Sequence, residues 1–175
     1  MTGSSDATED IRKYVGGFSD ARDQVSVVVH GSMIIEKMLA DLLYTQMPNI
    51  SKGNDPLYIG EERLSIAVMC KWSYALGLVN KSIYNACKSL TKLRNSAAHL
   101  KSGPVFDFTT PDESDWIEKI LKNLQADEDE YAEFAKHYIA NNVPTSRMRF
   151  DFAVTQLGYQ INARRQYFRE GMSKR

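Results

Sequence analysis

Apolar residues recur every three to four positions along most of the chain, the spacing of amphipathic helices. The longest such segment begins near Asp20 and ends before Pro48. Its valine-rich part could form a strand, but Met33, Ile34 and Met38 continue the helical rhythm without a break. The pattern predicts six helices, at about 20–47, 62–76, 81–100, 111–124, 128–139 and 145–168, after a short helical stretch that ends at Gly16 and Gly17.

Turn and capping residues define the ends of these helices. Break signals from Pro48 to Pro56 separate the first two helices, and Gly77 is expected to end the second. Asn80 is expected to cap the third helix. The sequence Thr110-Pro111-Asp112-Glu113 fits a capping box with proline in the first helical position, so the fourth helix is predicted to begin there.

The sequence contains helical patterns and no strand-turn-strand signal. It therefore predicts an all-α, single-domain helical bundle of about five or six helices. The second and third helices are expected to be antiparallel, because only Gly77 to Asn80 joins them. At 175 residues the chain is long enough for a substantial core. We divide it into an N-terminal tail and short helix at 1–19, the bundle domain at 20–170 and a C-terminal tail at 171–175.

Composition indicates an intracellular protein. The sequence is 43% apolar and 25% charged, as in globular domains. Its two cysteines, Cys70 and Cys87, fall within predicted helices and make no disulfide framework. The first twenty residues lack a basic start and an apolar run, and no segment reaches the roughly 18 apolar residues of a membrane span. A cytoplasmic location without membrane contact is therefore expected.

Charge is distributed unevenly although the net charge is zero. Residues 107–133 hold ten acidic side chains against Lys119 and Lys122, a net charge of −8, whereas residues 145–175 carry a net charge of +5. The basic segment could attract a polyanion or pair with the acidic one, and we favour pairing. Arg164, Arg165 and Arg169 lie beside Tyr167 and Phe168, a basic and aromatic mixture that makes the three arginines candidate RNA-binding residues.

The candidate catalytic residues are Arg94, Asn95 and His99, near the end of the third helix. Ile83, Ala86, Cys87, Leu90 and Ala97 form the expected buried stripe of that helix. Arg94 falls at the edge of the stripe, and Asn95 and His99, four residues apart, point away from it. The small residues 96–98 between them leave room for another helix, which favours a two-fold homodimer.

Such a trio can cleave a phosphodiester without a metal. His99 would transfer a proton, Arg94 would stabilise charge on the phosphate, and Asn95 would orient the ring or the phosphate. The structural alternative is that Arg94 pairs with a carboxylate of another helix while Asn95 and His99 bind backbone carbonyls at the helix end, where the helix dipole favours histidine.

The segment Tyr74-Ala75-Leu76-Gly77-Leu78, followed by a helix that ends in Arg94-Asn95 and His99, resembles the mannitol operon repressor-like (MltR-like) family. The ending is also similar to the Arg-x4-6-His motif of the HEPN superfamily. The first resemblance implies a regulatory or partner-binding helical protein. The second implies a dimeric metal-independent RNase of toxin-antitoxin or defence systems, with two motifs meeting at the dimer interface.

Two functional hypotheses remain open. The chain is either a HEPN-like metal-independent endoribonuclease that acts on single-stranded RNA, or an MltR-like transcriptional regulator or protein-interaction module with a structural Arg-His pair. A protein partner or antitoxin fits either hypothesis. Direct DNA binding is a distant third, since no helix-turn-helix with a basic recognition helix can be drawn.

The positions of the other two histidines indicate neither a catalytic nor a metal-binding role. His30 lies among valines and is expected to be a core or interface residue. His137 has only Glu133 within one helical turn, so no metal site is expected. The sequence has no glycine-rich phosphate loop and no nucleophile elbow, and we expect no cofactor.

Overall fold

The computed structural model describes residues 23–47, 55–59, 62–99, 106–139 and 143–172. These residues form an all-α bundle of six helices, as the sequence predicts, with one two-residue β-ladder. The predicted N-terminal helical stretch lies outside the described residues. The helices are α1 Gln24–Tyr44, α2 Ile66–Ala75, α3 Lys81–His99, α4 Pro111–Leu124, α5 Glu128–Ile139 and α6 Thr145–Met172.

Helix α1 is the centre of the bundle and packs against α2, α3 and α6. It begins after Asp23, whose carboxylate accepts hydrogen bonds from the Val25 and Ser26 amides at 3.1 and 3.2 Å. The hydrogen bond from the Ser26 hydroxyl also lowers the pKa of Asp23. Of the two expectations for His30, the core position was wrong and the interface position stays a prediction. His30 is exposed, because Val27 and Val28 occupy the buried side and position 30 turns away from it.

Helices α2 and α3 form an antiparallel hairpin, as predicted. Tyr74 near the end of α2 stacks on Tyr84 near the start of α3, and the Cys70 thiol lies 3.8 Å from the Tyr84 carbonyl oxygen. Gly77, with φ of 71°, ends α2 in a Schellman motif in which the Leu78 amide bonds the Ser73 carbonyl oxygen at 2.8 Å.

The start of α2 and the cap of α4 differ from the prediction. Glu62 does not begin a helix, because β1 Tyr58–Ile59 and β2 Glu62–Arg63 pair as antiparallel strands and α2 begins at Ile66. Helix α4 begins at Pro111 as predicted, but the capping box is wrong. Glu113 is buried against α3 instead, and the Thr110 side chain makes no capping bond.

Helix α6 extends to Met172, four residues beyond its predicted end. Its Arg149 binds Glu118 of α4 through two hydrogen bonds of 2.8 and 3.0 Å and Glu128 at 2.8 Å. These contacts, that of Glu118 foremost, raise the pKa of Arg149. The expected pairing between the basic and acidic segments is therefore present at Arg149. Tyr159 and Tyr167 of α6 are exposed.

We predict that Gln125→Gly stabilises the bundle. Gln125 ends α4 in the left-handed region, with φ of 54° and ψ of 42°, where a Cβ is strained and glycine is not. The substitution should raise the free energy of unfolding by about 0.5–1 kcal/mol in urea denaturation. Gln125→Ala, which retains the Cβ, is the matched control and should give no gain. Equal stability of the two variants would contradict this prediction.

Candidate functional site

The predicted motif lies on the last two turns of α3. Ile83, Ala86, Cys87, Leu90 and Ala97 are buried, as expected for this helix, and Leu93 joins them. The Arg94 side chain is 34% exposed and Asn95 is exposed. The side chain of His99 lies outside the described part of the chain, and its role stays a prediction.

Arg94 lies next to Glu36 of α1, with 3.4 Å between Nη1 and Oε1. The same carboxylate oxygen accepts a hydrogen bond of 3.0 Å from the amide of Ile66, the first residue of α2. Ser65, the N-cap residue of α2, makes no capping bond of its own. Glu36 therefore caps α2 and holds Arg94 of α3 at once, which is the arrangement that the structural alternative gives to Arg94. Its carbonyl contacts of Asn95 and His99 stay predictions.

Two of the three small residues of the motif are buried inside the bundle. The Ser96 hydroxyl donates a 2.5 Å hydrogen bond to Glu113 of α4, and both residues are buried. Ala97 is buried too, whereas Ala98 is exposed. At Ser96 the close approach expected of a second subunit is thus made by α4 of the same chain.

The three arginines predicted to bind RNA lie on the last turns of α6. Arg164 donates hydrogen bonds to the carbonyl oxygens of Leu78, at 2.9 Å, and Gly77, at 3.3 Å. Arg165 lies 3.6 Å from Asp41 of α1, and Arg169 is exposed. Two of the three guanidinium groups therefore anchor α6 to the rest of the bundle.

A second cluster of charged groups lies between α5 and α6. Asp151 is 1% exposed, and its Oδ2 lies 3.7 Å from Nε of Arg147. Burial outweighs the nearby guanidinium and raises the pKa of Asp151 to about 7. Burial, with a contribution from Asp151, also raises the pKa of Tyr138. A buried acid of this kind can mark a functional site or a structural ion pair.

Sequence reasoning missed both acids that contact the motif helix, the partly buried Glu36 and the buried Glu113. The sequence pattern assigns no role to Glu36 and predicts Glu113 only as a capping residue. An acid in an apolar stretch is the signal that could have found Glu36, because such a group needs a partner when it is buried. Within the described ranges, no three His, Cys, Asp or Glu side chains are grouped to hold a metal ion.

The fold defines a class of compact helical bundles, and one solved structure of that class resembles this chain. A chain in the X-ray structure of the MtlR-HPr complex from Escherichia coli matches it with a TM-score of 0.57 and 19% sequence identity, over 89% of this chain and 97% of that one. The resemblance to MltR-like proteins is thus confirmed at the level of the fold.

Searches of protein-family models and of curated proteins gave no match to the sequence. In the part of the chain that the structure describes, no helix is long and apolar enough to cross a membrane.

We predict that Glu36 contributes more to stability than Arg94. Glu36→Ala removes the acceptor of the Ile66 amide and should cost about 1–2 kcal/mol of unfolding free energy. Arg94→Ala should cost less than about 1 kcal/mol, because a third of its side chain is exposed and the pair is screened.

Urea denaturation measures both costs. Glu36→Gln is the matched control, since it retains an oxygen acceptor for Ile66 and loses the charge, and it should resemble Arg94→Ala. If Arg94→Ala proved more destabilising than Glu36→Ala, the assignment of Glu36 as the shared partner would be wrong.

We predict that Asp151 makes the folded state less stable as pH rises. The pKa of Asp151 is about 7 in the folded state and 3.8 for an ordinary aspartate, so the folded state holds an extra proton between these pH values. The unfolding free energy therefore falls from about pH 4 to about pH 7, by a few kcal/mol. Asp151→Asn has no carboxyl group to titrate, so its stability relative to wild type should increase over that range. A difference that stays flat with pH would show that Arg147 keeps Asp151 ionised throughout.

Proposed function

We propose that this chain is a protein-interaction module of the MtlR-like kind, which acts by binding a protein partner, and that Arg94 serves the fold. The observation that carries the proposal is the engagement of Arg94 by Glu36, which also caps α2. A guanidinium held in this way supports a structural role better than a role on a phosphate. The similar solved structure supports partner binding, because it is a complex of two proteins.

A second candidate is a HEPN-like metal-independent endoribonuclease acting on single-stranded RNA, in a toxin-antitoxin or defence setting. It is favoured by the Arg94-x4-His99 spacing at the end of α3 and by the exposed Asn95 between them. This function requires two motifs to meet in a homodimer and Arg94 to leave Glu36. The RNA-binding role of Arg164, Arg165 and Arg169 belongs to this candidate.

A cleavage assay separates the two candidates. The purified chain is incubated with single-stranded RNA in EDTA, beside Arg94→Ala, His99→Ala and the control Lys92→Ala, which removes an exposed cation of the same helix. A protein-interaction module should cleave no faster than its motif variants. A loss of about 10² to 10⁴ in rate in both motif variants, with Lys92→Ala unaffected, would establish the nuclease instead.

Partner binding is tested separately. The tagged chain is purified from its source cells after treatment with ribonuclease, and a protein that copurifies is reconstituted with it from purified components. We expect a dissociation constant that Arg94→Ala changes by no more than about threefold, because Arg94 serves the fold. Failure to find any protein that binds the purified chain would contradict the proposed function.

A further inference from the structure

We propose that the partner docks on the outer face of the α2–α3 hairpin and presents acidic side chains around an apolar centre. This inference rests on the proposed function and names the surface and the chemistry of the partner. We define the hairpin face by six exposed residues, Val68, Lys71, Trp72, Leu76, Lys81 and Lys88.

The hairpin is basic throughout. Residues 64–106 contain no Asp or Glu, yet they carry five lysines and Arg94. Lys71, Lys81 and Lys88 are exposed and make no ion pair with any carboxylate of the described residues. Unbalanced charge of one sign favours a partner of the opposite sign and speeds its encounter.

Several acidic side chains of the described residues are already paired with other cations. Glu118 and Glu128 bind Arg149, and Asp115 and Glu133 bind lysines one turn away on their own helices. The negative charge that would balance the lysines of the hairpin face is therefore best supplied by carboxylates of another molecule.

The apolar part of the face lies on α2. Val68, Trp72 and Leu76 follow one another at intervals of four residues, so they form a stripe along one side of the helix. Their exposed fractions are 36%, 37% and 55%, which is high for side chains of this kind. A tryptophan and aliphatic side chains edged by cations resemble the centre of a protein interface.

The apolar and basic parts are joined by two stacked tyrosines. Tyr74 and Tyr84 have ring centroids 4.7 Å apart, and the Lys81 ammonium lies 5.3 Å from both. Lys88 lies 5.7 Å from the Tyr84 ring. Around α2, Lys71 falls between Tyr74 and Val68, so the surface continues from α3 across to the apolar stripe.

These contacts favour a protein over a nucleic acid as the occupant. Stacking of bases needs open ring faces, and the faces of Tyr74 and Tyr84 are turned toward each other and toward lysines. Of the apolar stripe, Val68 and Leu76 offer no ring, and Trp72 is its single aromatic side chain. Aliphatic side chains gain from burial against a protein surface, and the lysines then pair with its carboxylates.

Site-specific photocrosslinking tests this surface. A photoreactive phenylalanine analogue replaces Leu76 in the full chain, and Tyr159 of α6, which is 42% exposed, is the matched control position. Irradiation in the source cells should give a protein adduct from position 76 and none from position 159.

In binding assays with the identified partner, Lys81→Glu and Lys88→Glu should each weaken affinity by about tenfold or more. Lys122→Glu on α4, with the same change of net charge, should not.

A charge swap makes the test specific to acidic chemistry. Replacing the contacting carboxylate of the partner with lysine should restore its binding to the Lys88→Glu chain. Crosslinking at position 159 alone would overturn the hairpin face and leave the proposed function intact. An adduct with RNA, or with a second copy of the chain, would overturn the choice of occupant. A chain that binds no protein in either experiment would overturn the proposed function as well.

Discussion

The arrangement of the first three helices depends on the contacts of one carboxylate, that of Glu36. It comes from the central helix α1, accepts the first amide of α2 and lies next to Arg94 of α3. Its side chain is only 14% exposed, so its charge has to be matched inside the protein. One group thereby fixes the start of α2, the direction of the hairpin and the position of the motif arginine. The proposed role of Arg94 follows from this junction.

The motif helix is tied into the bundle at a second point by the Ser96–Glu113 hydrogen bond. Together with Arg94, this bond directs two polar residues of the motif toward α1 and α4, inside the chain. The exposed surface of the hairpin is made of other residues, the lysines and the apolar stripe. The protein thus separates residues that hold the helices together from residues that are exposed on the hairpin face.

Much of the fold was predictable because it is encoded locally. Helical spacing gave α5 its observed ends, Asn80 caps α3 through a 2.9 Å bond to the Ile83 amide, and Gly77 ends α2. The site was less predictable, because its contacts join residues far apart in the chain. Glu36 and Arg94 are 58 positions apart, and no pattern within either helix identifies the other. Glu113 fits a capping box by sequence, but burial against Ser96 proved the stronger interaction.

The central claim is that Arg94 is bound to Glu36 and serves the fold. It is tested most directly by nitrogen NMR of the Arg94 side chain, with the exposed Arg169 as the internal reference. If Arg94 serves the fold, its Nε–H signal moves in Glu36→Gln and stays in place when single-stranded RNA is added in EDTA. A signal that shifts with RNA at stoichiometric amounts, and that Glu36→Gln leaves unchanged, would instead place Arg94 on a phosphate.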